Sequence, residues 1–327
     1  MKTVEETELC FPQLLNASCR KTILPPSVSL VIYLTFSSIS LLTVLLNLLV
    51  IISICHFKKL HSPTNILLLS LAVSDCMVGF LILFQIVLID GCWYLGDIIC
   101  VLYVNLDYVI TTTSIGTMVL ISVDRYIAIC YPLHYPSKVT EERAKMCVSV
   151  FWMCSILYHC VLLRDNLQHP GRYNSCSGEC LGFLDYIGGV FDLLSSFICP
   201  VTLIILLYVR VFVVVVSQAR AMQSRVAAAS LQGSVKVTAK QSEIKAAITL
   251  SVVVVVFLIC TCPYFCVTLI TEDAAVSASS GTFILFYFNS TLNPLIYALF
   301  YPWFRKSVKL ILTLRILKPD SCNTIIV

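Results

Sequence analysis

Residues 100–131 read CVLYVNLDYVITTTSIGTMVLISVDRYIAICY: an almost wholly apolar run with one acid in its upper half, Asp107, and an Asp124-Arg125-Tyr126 triplet at its far end. In a helix rising about 1.5 Å per residue, the 17 steps from Asp107 to Asp124 cover roughly 25 Å, most of the hydrocarbon thickness of a bilayer. A carboxylate inside such a span is costly to hold there and by default marks a functional site. One end of this helix can therefore meet something on one side of a membrane while the other end meets something opposite. Asp107, Thr111, Ser114 and Met118 fall at helical spacing and form one stripe.

The rest of the chain fits that reading. Its 327 residues are 58% hydrophobic and 12% charged, with a mean hydropathy of +0.92, which is no soluble globular composition. Apolar runs at 28–54, 63–88, 98–130, 144–163, 186–216, 243–271 and 280–302 are each long enough to cross. The expected fold is an all-α membrane protein. A seven-transmembrane helix bundle spans 28–302, between an N-terminal segment 1–27 and a region 303–327. In that last region FRKSVKLILTLRIL has the amphipathic character of an eighth helix lying on a membrane face. The opening MKTVEETELC lacks the basic start and early apolar core of a signal peptide, so the first span is expected to direct insertion.

Basic residues set the orientation. Lys58, Lys59, Lys138, Arg143 and Lys145 follow the first and third spans, and Arg220, Arg225, Lys236, Lys240 and Lys245 separate the fifth from the sixth. The tail adds Arg305, Lys306, Lys309, Arg315 and Lys318, whereas the opposite side holds only Lys2, Arg20, Lys21, Arg164 and Arg172. The positive-inside rule then predicts an extracellular N-terminus and a cytoplasmic tail at the plasma membrane. The net charge of +4 follows from this asymmetry and points to anionic lipid, not to nucleic acid. The outer loops carry Asp90, Asp97, Asp165, Glu179, Asp185, Glu272 and Asp273, a mouth that would concentrate cations or simply ordinary solvated charge.

Most of the 17 cysteines lie within spans, where the residue is a small apolar one. Cys10, Cys19, Cys92, Cys100, Cys176 and Cys180 fall outside them, an even number on the oxidising side, and the pattern alone leaves their pairing open. Asn16-Ala17-Ser18 is a glycosylation acceptor on the expected side; Asn289-Ser290-Thr291 matches the pattern within a span and is not one.

Two further acids lie within spans. Asp75 needs polar partners, for which Ser114, Asn289, Ser290 and Asn293 are candidates, and it is either a neutral acid in a polar core or the ligand of a small cation such as sodium. Asp192 lies about two turns above Pro200. It could be a helix-start acid favoured by the helix dipole, but Asp185 suits that role better. Pro263 should kink the sixth span. No phosphate loop, metal-protease motif or nucleophile–base set is present, so neither enzymatic activity nor a cofactor is expected. The lack of inverted repeats and of glycine-broken helices argues against a transporter.

Asp124-Arg125-Tyr126 closing the third span, Pro263 in the sixth and Asn293-Pro294-Leu295-Ile296-Tyr297 in the seventh resemble the rhodopsin-like G-protein-coupled receptors, over roughly residues 28–312. More narrowly, NSTLNPLIYALFYPWFRK (289–306), the CSGEC loop (176–180) and the Cys10/Cys19 pair are similar to the trace amine-associated receptors. The resemblance implies that Asp107 is the amine counter-ion with Tyr287 as its hydrogen-bonding partner, and that Tyr108, Thr111, Tyr264 and Phe265 form the pocket wall. These side chains could also be ordinary bundle packing. It implies that an acid at Asp192 goes with diamine recognition, cadaverine and putrescine being the concrete expectation. The alternatives are a monoamine receptor with a structural Asp192, or an amine transporter. At the inner end it implies pairing of Arg125 with Asp124 and Glu243, with Tyr208 and Tyr297 supporting the open state. Ile115, Pro200 and Phe257 would connect pocket to inner end. It further implies a stimulatory G protein with cyclic AMP, an olfactory role, and bridges Cys100–Cys180 and Cys19–Cys176, leaving Cys10 and Cys92 as a possible third pair. Thr261 departs from the family's usual Trp, and Leu46 from its usual Gly.

Overall fold

A computed structural model describes residues 8–14, 16–229, 238–270, 281–318 and 321–323, except the side chains of 219, 221–250, 268–270 and 281. The long helices are α1 (Pro26–His56), α2 (Pro63–Val87), α3 (Asp97–Cys130) and α4 (Glu141–Leu162). In α5 three segments run on from one another: Tyr186–Asp192, the π-helical Leu193–Ile198, and Cys199–Ala229. Then come α6 (Thr238–Ile270), α7 (Gly281–Phe300) and α8 (Pro302–Leu312). Among the described residues six of these are long and apolar enough to cross a membrane, and α6 contributes the apolar Ser251–Val267.

The breaks follow local chemistry. Ser62 caps α2 by accepting from the Asn65 N–H at 3.3 Å, ahead of Pro63, whose missing N–H is harmless in a first turn. Thr140 caps α4 in the same way at 3.4 Å, followed by Glu141 and Glu142, which the helix dipole favours. The expected ends shift by a few residues, most at α5, which continues to Ala229 through an alanine-rich stretch.

α3 is central, packing against α2, α4, α5 and α6. α1 and α2 run closely together because Gly79 admits them: a Cβ there would sit 2.6 Å from Val44 Cγ2 and 3.1 Å from its backbone nitrogen. Among the described residues two large apolar cores form within the bundle, apart from a small cysteine cluster. One holds Phe36, Trp93, Tyr103, Ile110 and Tyr287 toward the disulfide-bearing end. The other holds Val50, Leu68, Ile115, Ile121, Phe257 and Tyr297 toward the opposite end. Polar groups tie α1 and α7 together: Thr43 and Thr291 share a 2.6 Å bond, and Asn47 Nδ2 donates to Ser290 O at 3.0 Å. Large apolar side chains such as Leu34, Leu41, Val209 and Phe212 cover the outside of the bundle, as lipid contact requires.

Candidate ligand-binding site

Asp107 meets α7 through Tyr287, whose hydroxyl donates to Oδ1 at 3.3 Å. Tyr287 is 2% exposed, and Phe283 and Phe286 meet its ring edge-on at 4.8 and 5.5 Å. Gln85 Nε2 lies 3.5 Å from the same hydroxyl and donates to Tyr103, whose ring stacks on Trp93. The tyrosine that points at Asp107 is thus fixed from both sides. Among the described residues Oδ2 of Asp107 has no hydrogen-bond partner. Tyr264, with Phe265, Phe283 and Phe286 at 5.3, 5.8 and 4.9 Å, builds an aromatic wall extended by Phe265 stacked on Phe197 at 3.8 Å. Electron-rich ring faces suit a cation.

Asp192 ends the first α-helical segment of α5, while Asp185 takes the N-cap position seven residues earlier in sequence. Pro200 cannot bond back to the Ser196 carbonyl and its ring crowds that group, and the wider π turn Leu193–Ile198 accommodates the misfit just before it. That turn changes the facing of every residue above it, Asp192 included. Asp192 Oδ1 accepts from Ser196 Oγ at 2.9 Å and Tyr158 OH at 3.2 Å, and His159 Nε2 lies 3.6 Å away. Oδ2, like that of Asp107, has no hydrogen-bond partner among the described residues. Tyr108 lies within electrostatic reach of both acids.

Beneath the wall a cavity of about 20 Å³ is lined by Thr111, Ser114, Ile115, Phe257, Thr261, Phe286 and Asn289. That is room for about one water and not for an indole. Asp75 is wholly buried and accepts from Ser290 at 2.9 Å and Asn293 at 2.8 Å. The amide oxygens of Asn289 and Asn293 and the Tyr297 hydroxyl are buried without a partner among the described residues. Pro294 lies inside α7 and Pro263 inside α6. No cluster of three or more His, Cys, Asp or Glu side chains occurs among the described residues.

At the opposite end Arg125 bonds Asp124 Oδ2 through Nε at 3.0 Å and Nη2 at 2.6 Å. Thr64 donates to the same oxygen at 2.9 Å and Tyr135 to Oδ1 at 2.9 Å. Tyr126 instead packs its ring on Tyr131 at 5.8 Å. Ile115 and Phe257 share one core, with Tyr208 packed against it and Val201 beside Pro200. Glu243 lies in α6 but outside the residues whose side chains are described.

Three disulfides close the other end: Cys100–Cys180, Cys19–Cys176 and Cys10–Cys92. Gly178, at φ +102, lets the loop approach so closely that a Cβ would lie 3.1 Å from that of Cys10. Asn16 is exposed in a turn, whereas Asn289 is 4% exposed. Asp165, in the short helix Arg164–Gln168 after α4, is held below the usual carboxylate range chiefly by the Tyr173 hydroxyl, with Arg172 and His169 adding to it.

Residues 46–297 match the model of the seven-transmembrane receptors of the rhodopsin family. The chain is 38% identical to trace amine-associated receptor 13c of Danio rerio over 330 residues, covering 98% of this chain and 96% of that receptor. Receptor 8b of Rattus norvegicus is 37% identical, covering 97% and 96%, and receptor 4 of Mus musculus is 35% identical, covering 98% and 95%.

The chain belongs to the trace amine-associated receptors. As a rhodopsin-family receptor it is a multi-pass membrane protein and not an enzyme. This trace amine-associated receptor also places together residues that its motifs do not announce. Tyr135 and Thr64 complete the shell of Asp124, and Gln85 steadies Tyr287. Tyr158 and His159 reach Asp192 from α4, a helix whose sequence otherwise shows only Trp152. An ionisable residue within a span is the signal that would have found His159.

Proposed function

We propose that this receptor is activated by amines at the cell surface, and by alkyl diamines such as cadaverine or putrescine above all. The observation that carries it is the pair Asp107 and Asp192, on different helices, each with one oxygen held by neighbouring side chains and the other unpartnered among the described residues. Two carboxylates in one pocket repel each other and are poorly solvated, and a molecule with an ammonium at each end relieves both penalties. An alkyl ammonium titrates near pH 10 and so arrives charged. The aromatic wall of Tyr108, Tyr264 and Phe265, with Thr111 beneath, would contact the methylene chain. Activation would open the inner end around Arg125 toward a stimulatory G protein, raising cyclic AMP, with an extracellular N-terminus glycosylated at Asn16 and an olfactory role. The orphaned oxygens of Asn289 and Asn293 beside Asp75 and Ser114 fit a hard cation such as sodium, which takes oxygen ligands.

The test is cyclic AMP in cells expressing the receptor, dosed with diamines of increasing spacer length and with matched monoamines. Diamines of one spacer range should be more potent; equal potency of pentylamine and cadaverine would sink the two-acid pocket. One observation favours the second reading, a monoamine receptor: Tyr158, Ser196 and His159 already surround Asp192. Amine uptake independent of G protein would instead indicate a transporter.

At the inner end, Asp124→Asn keeps volume and an acceptor while removing the charge that holds Arg125. A hydrogen bond to a charged group contributes about 1.5–3 kcal/mol, so ligand-free cyclic AMP should rise severalfold. An unchanged basal level would place the restraint on Arg125 elsewhere.

A further inference from the structure

α4 brings to the second acid a titratable group that the two-acid reading leaves idle. His159 is 0% exposed. Its Nδ1 lies 2.9 Å from the Ser155 carbonyl oxygen, which can only accept, so Nδ1 carries a proton. Nε2 then faces Asp192 Oδ1 at 3.6 Å, with the Thr112 hydroxyl at 3.4 Å. A neutral ring presents a lone pair to the carboxylate; a protonated ring presents an N–H. The ring is held in place by Tyr108 from α3 at 5.7 Å and by Tyr158 at 4.7 Å. The groups facing it are Asp192 from α5, Tyr108 and Thr112 from α3, and Tyr158 of its own helix, with Asp107 beyond Tyr108. Among the described residues His159 is the one basic side chain within ion-pair reach of Asp192.

We propose that His159 decides whether the second acid is open to a ligand: protonated, its imidazolium pairs with Asp192 and the subsite is neutral; neutral, it leaves the carboxylate's charge for the ligand's distal ammonium. The inference rests on the two-acid reading. A proton on His159 and the second ammonium of a diamine compete for one charge. By reciprocity, binding a diamine expels that proton. Where His159 carries the proton, potency falls by up to about tenfold for each pH unit toward acid, the slope of one proton released per ligand. A monoamine held at Asp107 alone lacks this dependence, so acid conditions narrow the preference for diamines.

The experiment measures cadaverine and pentylamine potency on cells in outer media from about pH 6 to about pH 8, where both ammonium groups stay charged. The receptors are the wild type, His159→Phe, His159→Gln and Asp192→Ala, each corrected for surface expression. In the wild type, cadaverine should lose on the order of tenfold toward acid while pentylamine does not. Both His159 variants should be flat and should retain high cadaverine potency at the acid end. Equal slopes for the two ligands on the wild type alone would overturn the proposal, whatever becomes of the variants. So would a slope that persists in His159→Phe or His159→Gln, because the proton would then be on a carboxylate; the two-acid reading would survive provided Asp192→Ala still loses cadaverine. If Asp192→Ala leaves cadaverine untouched, the two-acid reading fails first.

Discussion

Replacing Asp107 by Ala is expected to weaken every amine, mono or di, by at least about 100-fold. Removing one partner of a desolvated charge pair costs about 3–5 kcal/mol, and 1.4 kcal/mol is a factor of ten. The lost counter-charge dominates that figure, and the hydrogen bond from Tyr287 to Oδ1 is the smaller part. Asp107→Asn separates the two, since it keeps an acceptor for the buried Tyr287 hydroxyl while deleting the charge. Nearly as large a loss in Asn as in Ala, with surface expression intact, is the expected result. An Asn variant with wild-type potency would mean that the ammonium finds its counter-charge elsewhere, and Asp192 would be the place to look.

Asp107 and Asp124 are legible without a structure because a charge within an apolar run admits few explanations. The bundle is legible for the same reason: seven apolar runs with basic residues to one side leave little choice of fold. What is not legible depends on which side chains meet across helices. Cys10–Cys92 is one pairing among many until the loop at Gly178 brings the two together. Pro200 announces a disturbance in α5, but that the chain answers with a π turn directly after Asp192, and so re-aims it, follows from packing against neighbouring helices. Tyr135 and Thr64 are unremarkable in sequence and become partners of Asp124 only because α2 and the turn after α3 converge on it. His159 sits in a span with no motif around it, and its partners come from α3 and α5 across the gap.

Asp192→Ala is expected to separate ligand classes where Asp107→Ala does not. Cadaverine should lose about 100-fold, for the same desolvated-pair reason, while pentylamine, with nothing charged to offer the second site, should change little. The dependence on spacer length should vanish too, because a diamine that can no longer bridge two acids behaves as a monoamine with a polar tail. A double replacement of Asp107 and Asp192 sharpens the argument. In the wild type the first contact raises the effective concentration of the second ammonium at its acid, so the two sites are coupled. Once either acid is gone that coupling is gone, and the second replacement should cost less than it does alone, giving a cycle that fails to add. Strict additivity, or a monoamine loss in Asp192→Ala as large as the diamine loss, would make Asp192 a structural carboxylate held by Tyr158 and Ser196. The pocket would then read one ammonium only.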